Sequence, residues 1–292
     1  MSFEDALALA ARETDTLLDH LLPERGAAAP RLVAAMRYAA LGPGKRLRPF
    51  LVVESAALFD VPRAKALRVG AALECVHCYS LVHDDLPAMD DDDLRRGRPT
   101  AHKAYDEATA ILAGDALLTF AFEILGDAAT HGDPAVRIKL VEALAKASGM
   151  AGMAGGQMLD IGAETQAVSS LSGITLIQTL KTGALFRFAC EAGAILAGAD
   201  PAPLRRYADH IGLAFQIADD ILDVESDSAT LGKATQKDVT RGKATFVDLL
   251  GLEEAKRRAA DLVQQAKAAL SIYGPRGEVL KEAAQFIIAR KA

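Results

Sequence analysis

The sequence predicts an all-α protein folded as one large helical bundle, and three observations carry that expectation. Apolar residues recur at helical spacing through most of the 292 residues. No stretch of useful length alternates apolar and polar residues as a half-buried strand does. The chain is 51 % hydrophobic and rich in Ala and Leu, which favour helix and pack helices closely. With no linker and no repeat period, residues 1–292 are expected to form a single domain.

Residues 3–22 place Phe3, Leu7, Ala10, Thr14, Leu17, Leu18 and Leu21 at helical spacing and stop at Pro23. A second helix is expected over roughly 30–41, ending at Gly42-Pro43-Gly44. The run from Lys45 to Phe59 is helical after Pro49, which suits a first turn. Pro62 leads into a long helix from about 64 to 85, and Pro87 breaks it. Beyond Gly97-Arg98-Pro99, helices are expected near 104–130 and 134–149, divided by His131-Gly132-Asp133-Pro134. A Gly-rich helix near 150–162 precedes long apolar helices near 171–198 and 201–224. The stretch 225–243 is polar and turn-rich, and helices near 251–272 and 275–290 close the chain.

Composition excludes several classes. A net charge of −6 argues against a nucleic-acid footprint, so basic patches must be local and serve small anions. The N-terminus, Met1-Ser2-Phe3-Glu4-Asp5, lacks the basic region and apolar core of a signal peptide. No uninterrupted apolar run reaches the roughly 18 residues of a membrane span. Three cysteines form no disulfide framework and fit a reducing, cytoplasmic setting. Cys75 and Cys78 flank His77 as a CxxC, but inside a helical pattern with no second pair they read as buried thiols rather than zinc ligands.

The chemistry concentrates where the long helix ends. Asp84, Asp85, Asp90, Asp91, Asp92 and Asp93 put six carboxylates within ten residues, directly continuing the apolar run that begins at Ala71. Charge at the mouth of a core is expensive without a partner. Mg²⁺ accepts carboxylate oxygens and completes its shell with water and substrate phosphate. Arg95 and Arg96 follow at once, and their planar forks match phosphate oxygens.

A second cluster lies 135 residues after the first, with Gln216, Asp219, Asp220 and Asp223 at i, i+3, i+4 and i+7 on one helical face. Its surroundings are apolar, so either a salt-bridge network or a metal neutralises it. Facing helices of bundles project inward carboxylates in this way. Lys45 and Arg48 stand at a helix start, where backbone N–H groups also attract anions. His77 lies two turns before Asp84 on the same face, and Lys181-Thr182-Gly183 interrupts an apolar helix. A lysine there needs an anionic partner.

Together these stretches resemble the two aspartate-rich motifs of the trans-isoprenyl diphosphate synthases. Gly44-Lys45-Arg46-Leu47-Arg48-Pro49, Gly155-Gly156-Gln157-Met158-Leu159-Asp160 and Lys181-Thr182-Gly183 resemble further family motifs, in the family's order. Pro43 departs from the glycine of many relatives and stiffens its turn. The likeness spans nearly the whole chain and is strongest to short-chain bacterial enzymes of the farnesyl diphosphate type. It implies an isoprenoid-synthase bundle with a central active-site cavity, a homodimer, and a trinuclear Mg²⁺ cluster, with Mn²⁺ as an alternative ion. It implies head-to-tail condensation of isopentenyl diphosphate with dimethylallyl and geranyl diphosphate.

Carried over residue by residue, Asp84, Asp90 and Asp219 are principal metal ligands, and Asp85, Asp220 and Asp223 are ligands or stand just outside them. Arg95, Lys181, Lys233 and Lys243 hold the allylic diphosphate, while Lys45, Arg48, His77 and Arg96 hold isopentenyl diphosphate. Thr182, Gln216 and Lys181 face the developing carbocation. Tyr79, with Ser80 beside it, is the expected ruler of product length, with Phe120 next in line. The alternatives within and beyond the family are a geranylgeranyl diphosphate synthase, a class I terpene cyclase and a non-catalytic partner subunit. Intact aspartate motifs oppose the last.

Overall fold

The computed structural model describes residues 1–23, 27–165, 170–229 and 244–289. These divide into two compact units, Met1–Val141 with Ile195–Gly198, and Glu142–Ala194 with Ala199–Ala292.

In the first unit, α1 (Phe3–Leu21) begins at Ser2, whose hydroxyl accepts from Asp5 N at 3.2 Å. Glu4 and Asp5 in its first turn suit the positive end of the helix. Helix α2 (Pro30–Ala40) carries proline at its first position, where no N–H is missed. Next come α3 (Leu47–Ala57) and α4 (Arg63–Asp84). From Val69 to Val76 every residue of α4 is buried, Glu74 included. The helix is therefore wrapped on all sides, and it packs chiefly against α3 and the later α6 (Glu107–Gly126).

Three local features depart from the expected pattern. Residues 94–99 form a minimal hairpin, β1 (Leu94–Arg95) with β2 (Arg98–Pro99), closed through Gly97 at φ 76°. Gly97 takes the left-handed conformation that its lack of a Cβ permits. The helix expected from 104 to 130 is instead α5 (Ala101–Ala104) and α6, because the Asp106 side chain accepts from Thr109 N at 2.7 Å and starts a new helix. By length and composition α6 is apolar enough to cross a membrane, although Glu107, Asp115 and Glu123 interrupt its apolar run, so it is not the uninterrupted stretch whose absence the sequence showed. It packs against α2, α4 and α5 within its unit.

Helix α7 (Pro134–Ser148) leads to the second unit, which holds α8 (Met153–Thr165) and α9 (Leu171–Gln178). The expected continuous helix 171–198 is broken by a π-helical turn, Thr179–Gly183, before α10 (Ala184–Ala197). Helix α11 (Ala202–Ala229) runs five residues past its expected end at 224. Helix α12 (Phe246–Leu250) has a capping box in which Thr245 and Asp248 satisfy each other's backbone N–H. Helix α13 (Leu252–Ala269), a 3₁₀ turn (Ser271–Gly277) and α14 (Glu278–Ala289) follow. Tyr207 on α11 is fully buried, and its hydroxyl donates to Leu280 O at 2.6 Å, tying α11 to α14.

One buried ion pair organises the first unit. Arg46 precedes α3 at φ 50° and is only 3 % exposed. Its guanidinium donates to Asp15 Oδ1 at 2.7 Å, and to Glu74 Oε1, Ala40 O and Gly42 O at 2.8 Å each. It thus joins α1, the end of α2, the 41–46 loop and α4. Glu74→Ala removes the buried carboxylate and leaves Arg46 only the half-exposed Asp15 as a countercharge, and losing one partner of a buried pair costs up to about 3–5 kcal/mol. A fall of that size in the unfolding free energy from urea denaturation is expected, with Glu74→Gln milder because it keeps a hydrogen-bond acceptor.

Candidate active site

Asp84 is the last residue of α4, and Asp85 caps it. The chain then folds back: Asp90 N donates to Asp84 O at 2.8 Å, Asp91 N to Leu86 O at 3.1 Å, and Asp92 N to Asp85 O at 3.2 Å. The turn that Pro87 imposes therefore returns Asp90 to the end of α4 beside Asp84. Asp85 is buried, and its Oδ1 accepts from both Nε and Nη2 of Arg95 at 2.6 Å. Burial raises its carboxyl above the usual range, with Arg95 opposing the rise. Arg95, expected on the allylic diphosphate, is here the countercharge of Asp85.

Beside this turn lies a pocket of about 70 Å³, lined among others by His77, Cys78, Asp85, Arg95, Arg96 and Arg98. Arg96 donates to Pro43 O, which draws the hairpin onto the loop that carries Lys45. Arg98 stacks over the Tyr38 ring at 4.2 Å. His77 is held well below its ordinary pKa, first by burial and then by Arg48, Arg96, Arg46 and Arg95. It is a neutral ring among guanidinium groups. The pocket lining sets four arginines, Arg46, Arg95, Arg96 and Arg98, against two carboxylates, Glu74 and Asp85, and that excess of positive charge suits a compact anion. His77 and Arg96 line this pocket and the charge of Arg48 acts on His77, while Lys45 is exposed at the turn before α3.

The second unit carries the remaining predicted residues. The π-turn displays Lys181 and Thr182, and Lys181 Nζ donates to Asp160 Oδ2 at 2.7 Å. A Cβ at Gly156 would overlap the backbone of Leu180 and Lys181, so only glycine lets α8 approach that turn. Gln216, Asp219 and Asp220 are partly buried on α11, and Asp223 is exposed. Asp220 Oδ2 accepts from Phe246 N at 2.7 Å, at the start of α12. Lys233 and Lys243 lie outside the described residues.

Sequence reasoning gave no role to Asp160, Arg98 or the Arg46–Glu74 pair. Asp160 had a signal, as the last residue of the Gly155–Asp160 motif. Its partnership with a lysine 21 residues later had none.

Among the described residues, no three His, Cys, Asp or Glu side chains converge as a ready-made metal cage. The donors are nonetheless the right kind. Hard carboxylate oxygens in ones and twos suit Mg²⁺, which takes its remaining ligands from water and phosphate.

Residues 29–281 match the family model described as polyprenyl synthetase. The chain belongs to that family. Its relatives include a farnesyl diphosphate synthase of Escherichia coli (strain K12), 46 % identical over 299 residues and 99 % of each chain. Among solved structures, an FPP/GFPP synthase from Zymomonas mobilis is 50 % identical, with a TM-score of 0.89 over 98 % of both chains. A geranyltransferase from Legionella pneumophila is 34 % identical, with a TM-score of 0.88 over 99 % of this chain and 97 % of that one. The polyprenyl synthetase fold is thus all-α here, as expected.

The depressed pKa of His77 has a consequence for stability. An unfolded histidine takes up a proton near pH 6.5, whereas the folded ring resists it. Below about pH 6.5 the unfolded state binds more protons, so stability falls with pH until the folded pKa is passed. His77→Gln removes this contribution. Its melting temperature should decline less steeply than the wild type's between neutral and mildly acidic pH, as thermal melts at stepped pH would read.

Proposed function

We propose that this chain is a Mg²⁺-dependent trans-prenyltransferase. It condenses isopentenyl diphosphate head to tail with dimethylallyl and then geranyl diphosphate, giving (2E,6E)-farnesyl diphosphate and diphosphate. The observation that carries the reading is the folded-back aspartate turn beside a guanidinium-lined pocket, both in the first unit.

The chemistry follows from charge. The allylic C–O bond breaks, diphosphate leaves with the electron pair, and an allylic cation remains. The double bond of isopentenyl diphosphate attacks that cation, forming the 1'–4 bond, and a proton is lost from the adduct. Among the described residues no side chain presents itself as the base, and the released diphosphate is the acceptor. Bound Mg²⁺, held through Asp84, Asp90 and Asp219, with Asp85, Asp220 and Asp223 as further or outer ligands, would neutralise charge developing on the leaving group. Lys181, with Arg95, Lys233 and Lys243, grips the allylic diphosphate. Lys45, Arg48, His77 and Arg96 hold the other diphosphate. Thr182 and Gln216 turn their dipoles toward the cation. One polyprenyl synthetase domain over 1–292, a cytoplasmic homodimer and tolerance of Mn²⁺ belong to the same reading and rest on family membership.

Asp84→Ala or Asp219→Ala should lower turnover by about a thousandfold, the scale of removing one preorganised electrostatic stabiliser. Circular dichroism should stay wild-type. Full activity in excess EDTA would rule out the mechanism.

Product length has a second reading, because a relative from Capsicum annuum, 44 % identical over 245 residues, is a chloroplastic geranylgeranyl pyrophosphate synthase. A geranylgeranyl diphosphate synthase is the alternative. Tyr79 favours fifteen carbons. It sits five residues before Asp84, about 7.5 Å deeper at the helical rise. Its ring is partly buried, and burial, then Asp84, raises the phenol's pKa and keeps it neutral. Small Ser80 leaves the passage open, so the aromatic ring is the stop. Tyr79→Ala should shift the main product from fifteen carbons to twenty or more, as chromatography of the dephosphorylated alcohols would show. A wild-type product of twenty carbons would place the ruler elsewhere.

A further inference from the structure

Tyr79 is not positioned by its own helix alone. Its ring meets His83, one turn later on α4, edge to face, with centroids 5.7 Å apart and planes at 78°. That geometry is the favoured one for aromatic pairs, because it sets the positive edge of one ring against the negative face of the other. His83 is itself anchored on the neighbouring helix α6. Its Nε2 lies 3.0 Å from Ile111 O, and a carbonyl can only accept, so the ring carries its proton on Nε2. Asp115 Oδ1 stands 3.9 Å from the same nitrogen.

The anchor is possible because of Gly114. A Cβ built there would overlap the imidazole at Nε2, Cδ2 and Cε1 together. Glycine is unfavourable inside a helix, and Gly114 lies mid-way along α6 without a left-handed φ to justify it. A cleft for the ring does justify it. The chain of contact thus runs from Gly114 and Ile111 on α6, through His83, to Tyr79 on α4.

We propose that His83, seated in the Gly114 cleft, is a positioning residue that sets product length by bracing the Tyr79 ring. This rests on the reading above that Tyr79 is the stop for the growing chain. Without the brace, the phenol ring gains rotamers that swing it out of the passage, and a prenyl tail of one more unit can displace it. His83 needs no contact with substrate to act in this way.

The experiment compares five variants by the ratio of twenty- to fifteen-carbon product at fixed substrate ratio, with circular dichroism and melting temperature as checks on folding. His83→Ala should raise that ratio about threefold to tenfold, the range that one aromatic edge contact represents. His83→Phe keeps a ring edge for Tyr79 while losing the bond to Ile111 O, and should restore the ratio to within about twofold of wild type. Gly114→Ala expels the ring and should act in the same direction as His83→Ala. The double variant His83→Ala/Gly114→Ala should be no worse than His83→Ala, because both changes break one contact. Tyr79→Ala is the control. If it lengthens the product while His83→Ala leaves the ratio unchanged, or if His83→Phe lengthens it as much as alanine does, the bracing role is overturned and the ruler stands. If Tyr79→Ala itself changes nothing, the ruler fails and the brace with it. Should His83→Ala not fold, Gly114→Ala decides, and an unchanged ratio there overturns the proposal.

Discussion

Charge placed at the edge of a low-dielectric core must find a countercharge, and this constraint explains more of the structure than any other. Glu74 faces Arg46, Asp85 faces Arg95, and Asp160 faces Lys181, each within hydrogen-bond distance and each with at least one member buried. A buried ion without a partner costs several kcal/mol, so none of these groups could have its position without the other. The pairs differ in what they can do. Arg46 is also tied to two carbonyls and to Asp15, so it is a fixed joint. Arg95 and Lys181 remain partly exposed and can turn to an incoming anion. Both cations are already neutralised by their partners, so under the proposed function diphosphate binding would be an exchange of partners rather than an addition of charge.

Much of this was legible in the sequence, for identifiable reasons. Pro23 and Pro62 bracket helices whose observed bounds fall within a residue or two of the expected ones, since proline removes a donor that a helix interior requires. The i, i+3, i+4, i+7 spacing on α11 and the seven-residue step from His77 to Asp84 are properties of helical geometry alone. Lys181 could be found because a lysine in an apolar helix demands a partner.

Other features were not legible because they arise between segments. That Asp85 rather than Asp84 is the buried carboxylate depends on Arg95 across a hairpin too short to show a strand pattern. The break at Asp106 rests on one side-chain bond to Thr109 N, which the apolar periodicity around it does not reveal. Identity of the partners of Asp160 and Asp220 requires the packing of α8 and α12, which no local spacing encodes. Two lysines of the expected diphosphate grip, Lys233 and Lys243, lie outside the described residues.

The π-turn at Thr179–Gly183 holds one residue more than an α-helical turn would. Each residue rotates a helix by about 100°, so the surplus residue turns everything after it relative to everything before it. Ile174 and Ile177 upstream are buried, as are Leu185, Phe186 and Phe188 downstream, and both sets are in register with their surroundings only because the extra residue stands between them. Deleting it would force a choice between the hydrophobic register of α10 and the aim of Lys181. One residue therefore couples two otherwise separate constraints, the burial of one face of α10 and the aim of a cation.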